Sequence, residues 1–174
     1  MNRPGAILVA AARAGDVDSF RGLYERYYAL AVGIAQSQIF DRHLAEDAAQ
    51  EAFVEVCRDI GKLRDTNRFP EWLGTICRRT AIRMARWKTK AVPILSEPVA
   101  PAQPTCGSLT KVETALAQLP VGAREVIHLH YFSGLSYDEI GRALRITPEA
   151  VHGRLQRARR VLFDLLSKPR EEDY

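Results

Sequence analysis

The chain has 174 residues, of which 47% are hydrophobic, and this is enough for one ordinary domain or two small ones with modest cores. This composition excludes a disordered tail, and no apolar run reaches the length of a membrane span. The formal charge of +4 is mild for a protein that binds nucleic acid, so such a function would depend on how the charge is distributed. Residues 6–12 are apolar but lead directly into Arg13, so we expect no signal peptide, no membrane insertion and a cytoplasmic location.

Helical periodicity dominates the first half of the chain, and no alternating strand pattern competes with it, so the sequence predicts an all-α fold. A first apolar stripe is formed by Phe20, Leu23, Tyr24, Tyr27 and Leu30. A second stripe follows a helix cap at Asp41 and is formed by Ala45, Ala48, Ala49, Ala52, Phe53, Val56 and Ile60. A third helix contains Trp72, Leu73, Ile76 and Cys77. These helices should pack as a small bundle with Trp72 in its core.

Charge is polarised between the second and third of these helices. The helix over residues 41–59 is mainly acidic, whereas every charged residue of the stretch 78–90 is basic. An acidic face suits a cationic partner, and a basic face suits nucleic acid. Either face alone is more simply an ordinary solvated helix surface.

A change of composition separates the two halves of the chain. Residues 92–108 contain four prolines and few large apolar side chains, so they cannot continue a helix or form a core. We therefore expect a helical domain at residues 1–91, a flexible linker at 92–108 and a second helical domain at 109–174. Thr110 and Glu113 form a capping-box match at the start of the second domain.

Residues 136–160 have the pattern of a helix-turn-helix. Ser136 and Glu139 form a capping box for its first helix, and Thr147 followed by Pro148 marks the start of its second. In the second helix, a core stripe is formed by Val151, Leu155, Ala158 and Leu162. The opposite side is polar and cationic, as a major groove and its phosphates require, and carries Glu149, His152, Gly153, Gln156, Arg157 and Arg160, with Arg154 and Arg159 on its flanks.

The three cysteines, Cys57, Cys77 and Cys106, form neither a disulfide framework nor a zinc pattern. Cys57 and Cys77 fall at apolar helix positions, so both are expected to be buried. No glycine-rich phosphate loop and no metal-spaced carboxylate cluster occurs in the sequence. We therefore expect no cofactor, no metal and no enzymatic activity.

In this order, the acidic helix, the aromatic and basic helix, the proline-rich linker and the helix-turn-helix resemble a bacterial RNA polymerase sigma factor of the extracytoplasmic-function (ECF) type, group four of the sigma-70 family. Residues 45–54 are similar to the family's polymerase-binding helix, and residues 69–79 are similar to its Phe-x-x-Trp-Leu-x-x-Ile-x-x-Asn segment. Residues 119–160 look like the sigma-four domain. The resemblance implies a sigma-two and a sigma-four domain that bind core polymerase, recognise the −10 and −35 promoter elements and promote DNA melting.

The resemblance also implies three sets of site residues. Docking on the β′ clamp helices of the polymerase would use Glu46, Asp47, Gln50, Glu51, Phe53 and Val54. The melted −10 strand would be held by Arg64, Asp65, Thr66, Asn67, Arg68, Arg79, Arg83 and Arg86. The −35 duplex would be read by His130, Ser136, Tyr137, His152, Gly153, Arg154, Gln156, Arg157 and Arg160. Further implied partners are the polymerase β flap and an anti-sigma factor.

The sequence departs from the family pattern at several of these positions. Arg145 stands in the helix-turn-helix turn where many relatives have glycine, and His152 and Gly153 replace a basic residue and a serine. The promoter sequence therefore cannot be transferred from relatives. The main alternative is a stand-alone helix-turn-helix regulator whose N-terminal bundle dimerises or senses a ligand, although no sustained heptad pattern supplies a dimer seam. A nucleic-acid enzyme is a more distant alternative.

Overall fold

The computed structural model describes residues 4–90 and 111–167, and every regular element within those ranges is helical. This confirms the predicted all-α fold. The predicted linker, Thr110 of the second capping box and Cys106 lie outside the described residues. No helix within the two ranges is long and apolar enough to cross a membrane.

The N-terminal unit consists of four helices: α1 (Gly5–Arg13), α2 (Val17–Gln38), α3 (Arg42–Asp59) and α4 (Phe69–Lys90). Two short 3-10 turns, Ile60–Lys62 and Thr66–Arg68, connect α3 to α4. The predicted cap at Asp41 is confirmed, because its Oδ1 accepts a hydrogen bond from the Leu44 N–H at 3.1 Å.

The core of this unit lies between α2, α3 and α4. The alanines that α3 turns inward have no exposed surface, which lets α3 approach its neighbours closely. Phe53 is 3% exposed and its ring centroid lies 4.8 Å from that of Tyr24 on α2. Trp72 is half-buried against the same core, as predicted.

The C-terminal unit consists of α5 (Lys111–Gln118), α6 (Val121–Ile127), α7 (Tyr137–Leu144) and α8 (Pro148–Ser167), with a π-helical turn at His128–Phe132 that continues α6. The capping box of Ser136 and Glu139 is present at the start of α7. The start of α8 is also as predicted, since Thr147 Oγ1 accepts from the Ala150 N–H at 3.2 Å. Val151, Leu155 and Ala158 are buried, which confirms the core stripe of α8.

A tight turn joins α7 to α8 and sets the angle of the helix-turn-helix. Arg145 ends α7 in the left-handed conformation, with φ 57° and ψ 44°. Among the described residues, it is the one non-glycine residue with a positive φ. Gly141 is required by close packing, because a Cβ there would lie 2.8 Å from the carbonyl oxygen of Ile146. The turn therefore has a backbone conformation that glycine adopts most easily, although its residue is arginine.

The two units pack against each other. Helices α2 and α4 of the N-terminal unit contact α6, the π turn and α7, and buried side chains of both units form one continuous core. Gly33 on α2 makes this approach possible, since a Cβ there would lie 2.9 Å from Cδ2 of Leu129. The N-terminal and C-terminal units, which are predicted to bind different promoter elements, are therefore packed together in one closed arrangement.

Candidate nucleic-acid and protein interfaces

The outer side of α8 presents most of the residues predicted to read duplex DNA. His152, Gln156, Arg157 and Arg160 are exposed, and Gly153 and Arg154 are partly buried. They lie on the side of α8 that faces away from the buried stripe, as the sequence pattern predicted. A helix that packs through its apolar face and carries amide and guanidinium groups on its opposite face can place hydrogen-bond donors against base edges.

Three predicted residues that are distant in sequence meet beside this surface. The ring of Tyr137 lies 5.1 Å from that of His130 and 5.8 Å from that of His152, measured between centroids. His130 Nδ1 is 3.0 Å from the Leu135 carbonyl oxygen, which can only accept, so this nitrogen carries a proton. The three rings connect the π turn to α7 and α8 and fix their relative positions.

Ser136 has a structural role at the start of α7. Its hydroxyl donates to Glu139 Oε2 at 2.7 Å, and its backbone N–H donates to the same oxygen at 2.9 Å. These hydrogen bonds hold the pKa of Glu139 below its ordinary value. The Ser136 side chain is therefore part of the capping box of α7, and its contact with the −35 duplex stays a prediction.

The loop before α4 is partly preorganised. Asp65 Oδ1 accepts from the backbone N–H of Asn67 at 3.0 Å and from its side-chain amide at 3.2 Å, which makes a compact turn. Arg68 forms a two-point pair with Glu71, with its closest contact at 2.9 Å. Arg64 and Asn67 are exposed and Thr66 is partly buried. The loop therefore keeps a fixed shape while its tip faces solvent.

The basic helix and the acidic helix are joined by ion pairs that sequence reasoning missed. Arg79 pairs with Glu55, Arg83 lies 3.8 Å from Glu51, and Lys88 pairs with Asp41. Glu55 is only 8% exposed, so Arg79 compensates a buried carboxylate. The pair with Lys88 and the hydrogen bond from Leu44 lower the pKa of Asp41. The acidic and basic faces are therefore adjoining and interdependent surfaces.

The outer side of α3 carries most of the predicted docking residues. The exposed residues are Asp47, Gln50, Glu51 and Val54, and the relative exposure of Val54 is 63%. Glu46 is partly buried and pairs with Arg42 at 3.0 Å. An exposed valine surrounded by carboxylates and an amide is a typical pattern for a protein interface with an apolar centre and a polar rim.

Two sequence predictions on α3 require correction. Phe53 was assigned to docking, but its ring is buried against Tyr24, so its side chain stabilises the core instead. Cys57 was expected to be buried, yet it is exposed, because three residues after Val54 it falls on the outer face of the helix. Cys77 is buried as predicted, and burial raises the pKa of its thiol to about 12.

Within residues 4–90 and 111–167, no group of three or more His, Cys, Asp and Glu side chains is placed to hold a metal ion. An open depression lies where α7 approaches α4 and is lined by residues that include Glu71, Glu139 and Arg145. It is a junction between the units, with both signs of charge on its wall.

Two family models match the chain. Sigma-70 region 2 matches residues 23–91, and Sigma-70, region 4 matches residues 109–162. The RNA polymerase sigma factor CarQ of Myxococcus xanthus is 29% identical over 90% of this chain and 94% of its own length. The ECF RNA polymerase sigma factor SigW of Bacillus subtilis is 27% identical, over 86% and 90% of the two chains.

Solved structures with the same fold include two proteins in complexes. CnrH, solved with the cytosolic domain of CnrY, has a TM-score of 0.63 and 27% identity, covering 93% of this chain and 96% of its own. The sigma factor RpoE of Bartonella quintana, solved with the anti-sigma factor NepR, has a TM-score of 0.57 and 25% identity, covering 88% and 100%. The helix-turn-helix, the acidic and basic helices and these matches together show that this chain belongs to the sigma-70 family and is an RNA polymerase sigma factor of the ECF type.

Proposed function

We propose that this sigma factor divides its task among three surfaces: the outer face of α3 binds core polymerase, the loop 64–68 with α4 holds the melted −10 strand, and α8 reads the −35 duplex. The main support for this assignment is the reading face of α8, whose polar residues are exposed while the stripe of Val151, Leu155 and Ala158 is buried. A stand-alone dimeric regulator is less well supported, because the polymerase-docking and −10 regions also match the sigma-70 family.

For polymerase docking, we assign Glu46, Asp47, Gln50, Glu51 and Val54, without the buried Phe53. Their carboxylates favour a cationic partner surface, and Val54 supplies apolar contact at its centre. The β′ clamp helices are the proposed partner. A second polymerase contact, to the β flap, is assigned to the end of α8, where Phe163 is 70% exposed.

For the −10 element, we assign the exposed loop and the outer side of α4. Arg64, Arg68, Arg79, Arg83 and Arg86 supply positive charge along the path of a single strand, and Asp65 shapes the loop that would take a flipped base. Trp87 is 72% exposed, so its ring is available to stack on an unpaired base.

For the −35 element, we assign His152, Gln156 and Arg157 to base edges and Arg154 and Arg160 to phosphates. Gln156 is suited to adenine and Arg157 to guanine, since each can form two hydrogen bonds to one base. The ring of Tyr137 contacts the rings of both His130 and His152, and these contacts position His152.

We infer that the protein has no catalytic activity of its own and acts in the cytoplasm, where polymerase and promoters are found. Its activity would be controlled by an anti-sigma factor. The support for this partner is that the structural relative from Bartonella quintana was solved with one.

Run-off transcription with purified core polymerase on promoter fragments tests the assignment. The wild-type protein should yield specific transcripts, and Asp47→Lys should abolish both the transcripts and co-migration with core polymerase while leaving the fold intact. Glu25→Lys is the matched control, because Glu25 is also an exposed carboxylate, on α2 and outside the docking face. Unaltered polymerase binding by Asp47→Lys would remove α3 from the docking surface.

A further inference from the structure

Two arginines of α4 that are assigned to the melted −10 strand pair with carboxylates of α3 in different ways. Arg79 pairs with Glu55, and Arg83 pairs with Glu51. The two arginines are one helical turn apart, as are the two glutamates, so the pairs are neighbours along the same seam. Only 10% of the Glu55 side chain is exposed, against 53% of the Glu51 side chain. One pair is therefore anchored on a buried carboxylate and the other on a solvated one.

The buried carboxylate of Glu55 holds its arginine in place. The contact joins Oε1 of Glu55 to Nη2 of Arg79. Water reaches little of this carboxylate, so its charge would lose its compensation if Arg79 moved away. Because an uncompensated buried charge is costly, the guanidinium of Arg79 stays on Glu55.

The exposed pair leaves its arginine mobile. Nη2 of Arg83 lies 3.8 Å from Oε1 of Glu51, which is longer than the upper limit of about 3.2 Å for a hydrogen bond of this type. Exposed pairs of this kind contribute little, because water screens them and two long side chains must be ordered to form them. Arg83 is therefore free to follow a phosphate wherever the strand places it.

Arg79 is held on one side but remains available to DNA. Its side chain is 65% exposed, and its contact with Glu55 uses one terminal nitrogen. The other N–H donors of a guanidinium can form two hydrogen bonds to O6 and N7 of a guanine, the commonest specific contact of arginine with a base. A planar fork that is fixed in advance loses less conformational freedom on binding.

The pair of Arg79 and Glu55 is a feature of this chain. Arg79 stands at the last position of the segment 69–79, where the family pattern has asparagine. An asparagine there would leave the buried carboxylate of Glu55 without a cation. The arginine and the glutamate therefore depend on each other.

We propose that Glu55 is a positioning residue for recognition of the −10 strand: it holds the guanidinium of Arg79 so that it reads one guanine, whereas Arg83 binds phosphate without sequence preference. This inference rests on the proposed function, which assigns both arginines to that strand. It adds a residue of α3 to those that determine promoter preference.

Selection of single-stranded DNA by the complex with core polymerase tests this proposal. The probe is a pool of oligonucleotides randomised at the −10 positions, and the bound sequences are counted. Glu55→Gln removes the charge at nearly constant size, so it should lower the preference for guanine at one position by about tenfold. Affinity for the unselected pool should rise slightly, because one negative charge near the phosphates is gone. A purely electrostatic effect predicts that rise without the loss of preference.

Three variants are the controls. Asp59→Asn removes a carboxylate one turn further along α3 that pairs with Lys62 and Arg58, and it should keep the guanine preference. Arg79→Lys keeps the charge but lacks the planar fork, so it should lose the same preference as Glu55→Gln. Because the two residues act as a unit, the double variant should lose no more than either single variant.

Each outcome separates the proposal from an alternative. An unchanged guanine preference in Glu55→Gln, or additive losses in the double variant, would overturn the positioning role. A lower Tm with an equal loss of affinity for every sequence would overturn it as well, since Glu55 would then serve the fold. A dependent position that prefers another base would overturn the assignment to guanine. If the wild-type complex enriches no sequence and yields no specific transcript, the proposed sigma function itself fails.

Nitrogen NMR of the arginine side chains keeps the proposal testable if Glu55→Gln does not fold. In the free wild-type protein, the two terminal nitrogens of Arg79 should give separate signals, because the contact with Glu55 slows rotation of the guanidinium. Those of Arg83 should give one averaged signal. Arg79→Lys and Arg83→Lys assign the signals by their loss. An averaged signal for Arg79 would contradict the proposal.

Discussion

Gly153→Ala is the substitution whose effects on stability and on recognition are expected to have opposite signs. Glycine inside a helix costs up to about 1 kcal/mol relative to alanine. A Cβ at Gly153 would meet only Nη1 of Arg157, at 3.8 Å, which is an ordinary contact with the end of a flexible side chain. Alanine should therefore stabilise α8 by about 0.5–1 kcal/mol, and for a chain of this size the Tm should rise by roughly 1–4 °C.

The matched control is Gly141→Ala in α7. The helix propensity gained is the same, but this Cβ would lie 2.8 Å from the Ile146 carbonyl oxygen, part of the backbone of the turn. Gly141→Ala should therefore lower the Tm, while Gly153→Ala raises it. Thermal denaturation followed by circular dichroism measures both changes. An equal fall for the two variants would refute the placement of Gly153 on an open helix face.

The effect of Gly153→Ala on recognition follows from its place between His152 and Arg154 on the reading side of α8. The added methyl group should weaken binding of the complex with core polymerase to a duplex that the wild-type complex selects from a random pool, while general salt-dependent affinity stays the same. Fluorescence anisotropy at two salt concentrations distinguishes these contributions. If the variant is more stable but selects the same duplex with equal affinity, Gly153 does not determine promoter preference.

Three further predictions concern single side chains. Arg157→Ala should cost about 1–3 kcal/mol in discrimination of the selected duplex from mismatched ones, and a uniform loss across all sequences would assign Arg157 to phosphate instead. Cys57 should react with a maleimide in the free protein and should be protected when core polymerase is bound, whereas Cys77 should stay unreactive in the folded chain. Unchanged labelling of Cys57 in the presence of polymerase would place it outside the docking surface. Burial, together with the charge of Arg124, lowers the pKa of His128 to about 4, so the unfolded chain takes up this proton first as the pH falls below about 6.5. Urea denaturation should show a loss of about 2 kcal/mol between pH 7 and pH 5 that is reduced in His128→Leu, and an unchanged loss in that variant would exclude His128 as its source.

Much of the fold could be predicted because the signals for helix starts are local. Asp41, Ser136 and Thr147 each accept the backbone hydrogen bond that their sequence context indicated. The stripes of α3 and α8 likewise follow from periodicity. The same periodicity explains the errors, because Phe53 was counted both in a core stripe and in a docking set, and a position near the edge of a stripe such as Cys57 can fall on either side of it.

The ion pairs and the packing of the two units could not be predicted, since they depend on contacts between residues far apart in sequence. Nothing around Glu71 indicates that it meets Arg145, 74 positions later. The acidic and basic helices were expected to serve separate partners, but their pairing through Glu51 and Arg83 is visible only once α3 and α4 lie side by side. Arg124 and Glu125 are likewise buried, which only the packing of α6 shows.

Footprinting on a single promoter fragment tests whether one molecule of the sigma factor, together with core polymerase, binds both promoter elements. The complex should protect the −35 element from nuclease and make −10 thymines reactive to permanganate, and Arg157→Ala should lose the upstream protection first. The free sigma factor should produce neither signal. Protection of both elements by the free protein, or protection of one element alone by the complex, would contradict the account.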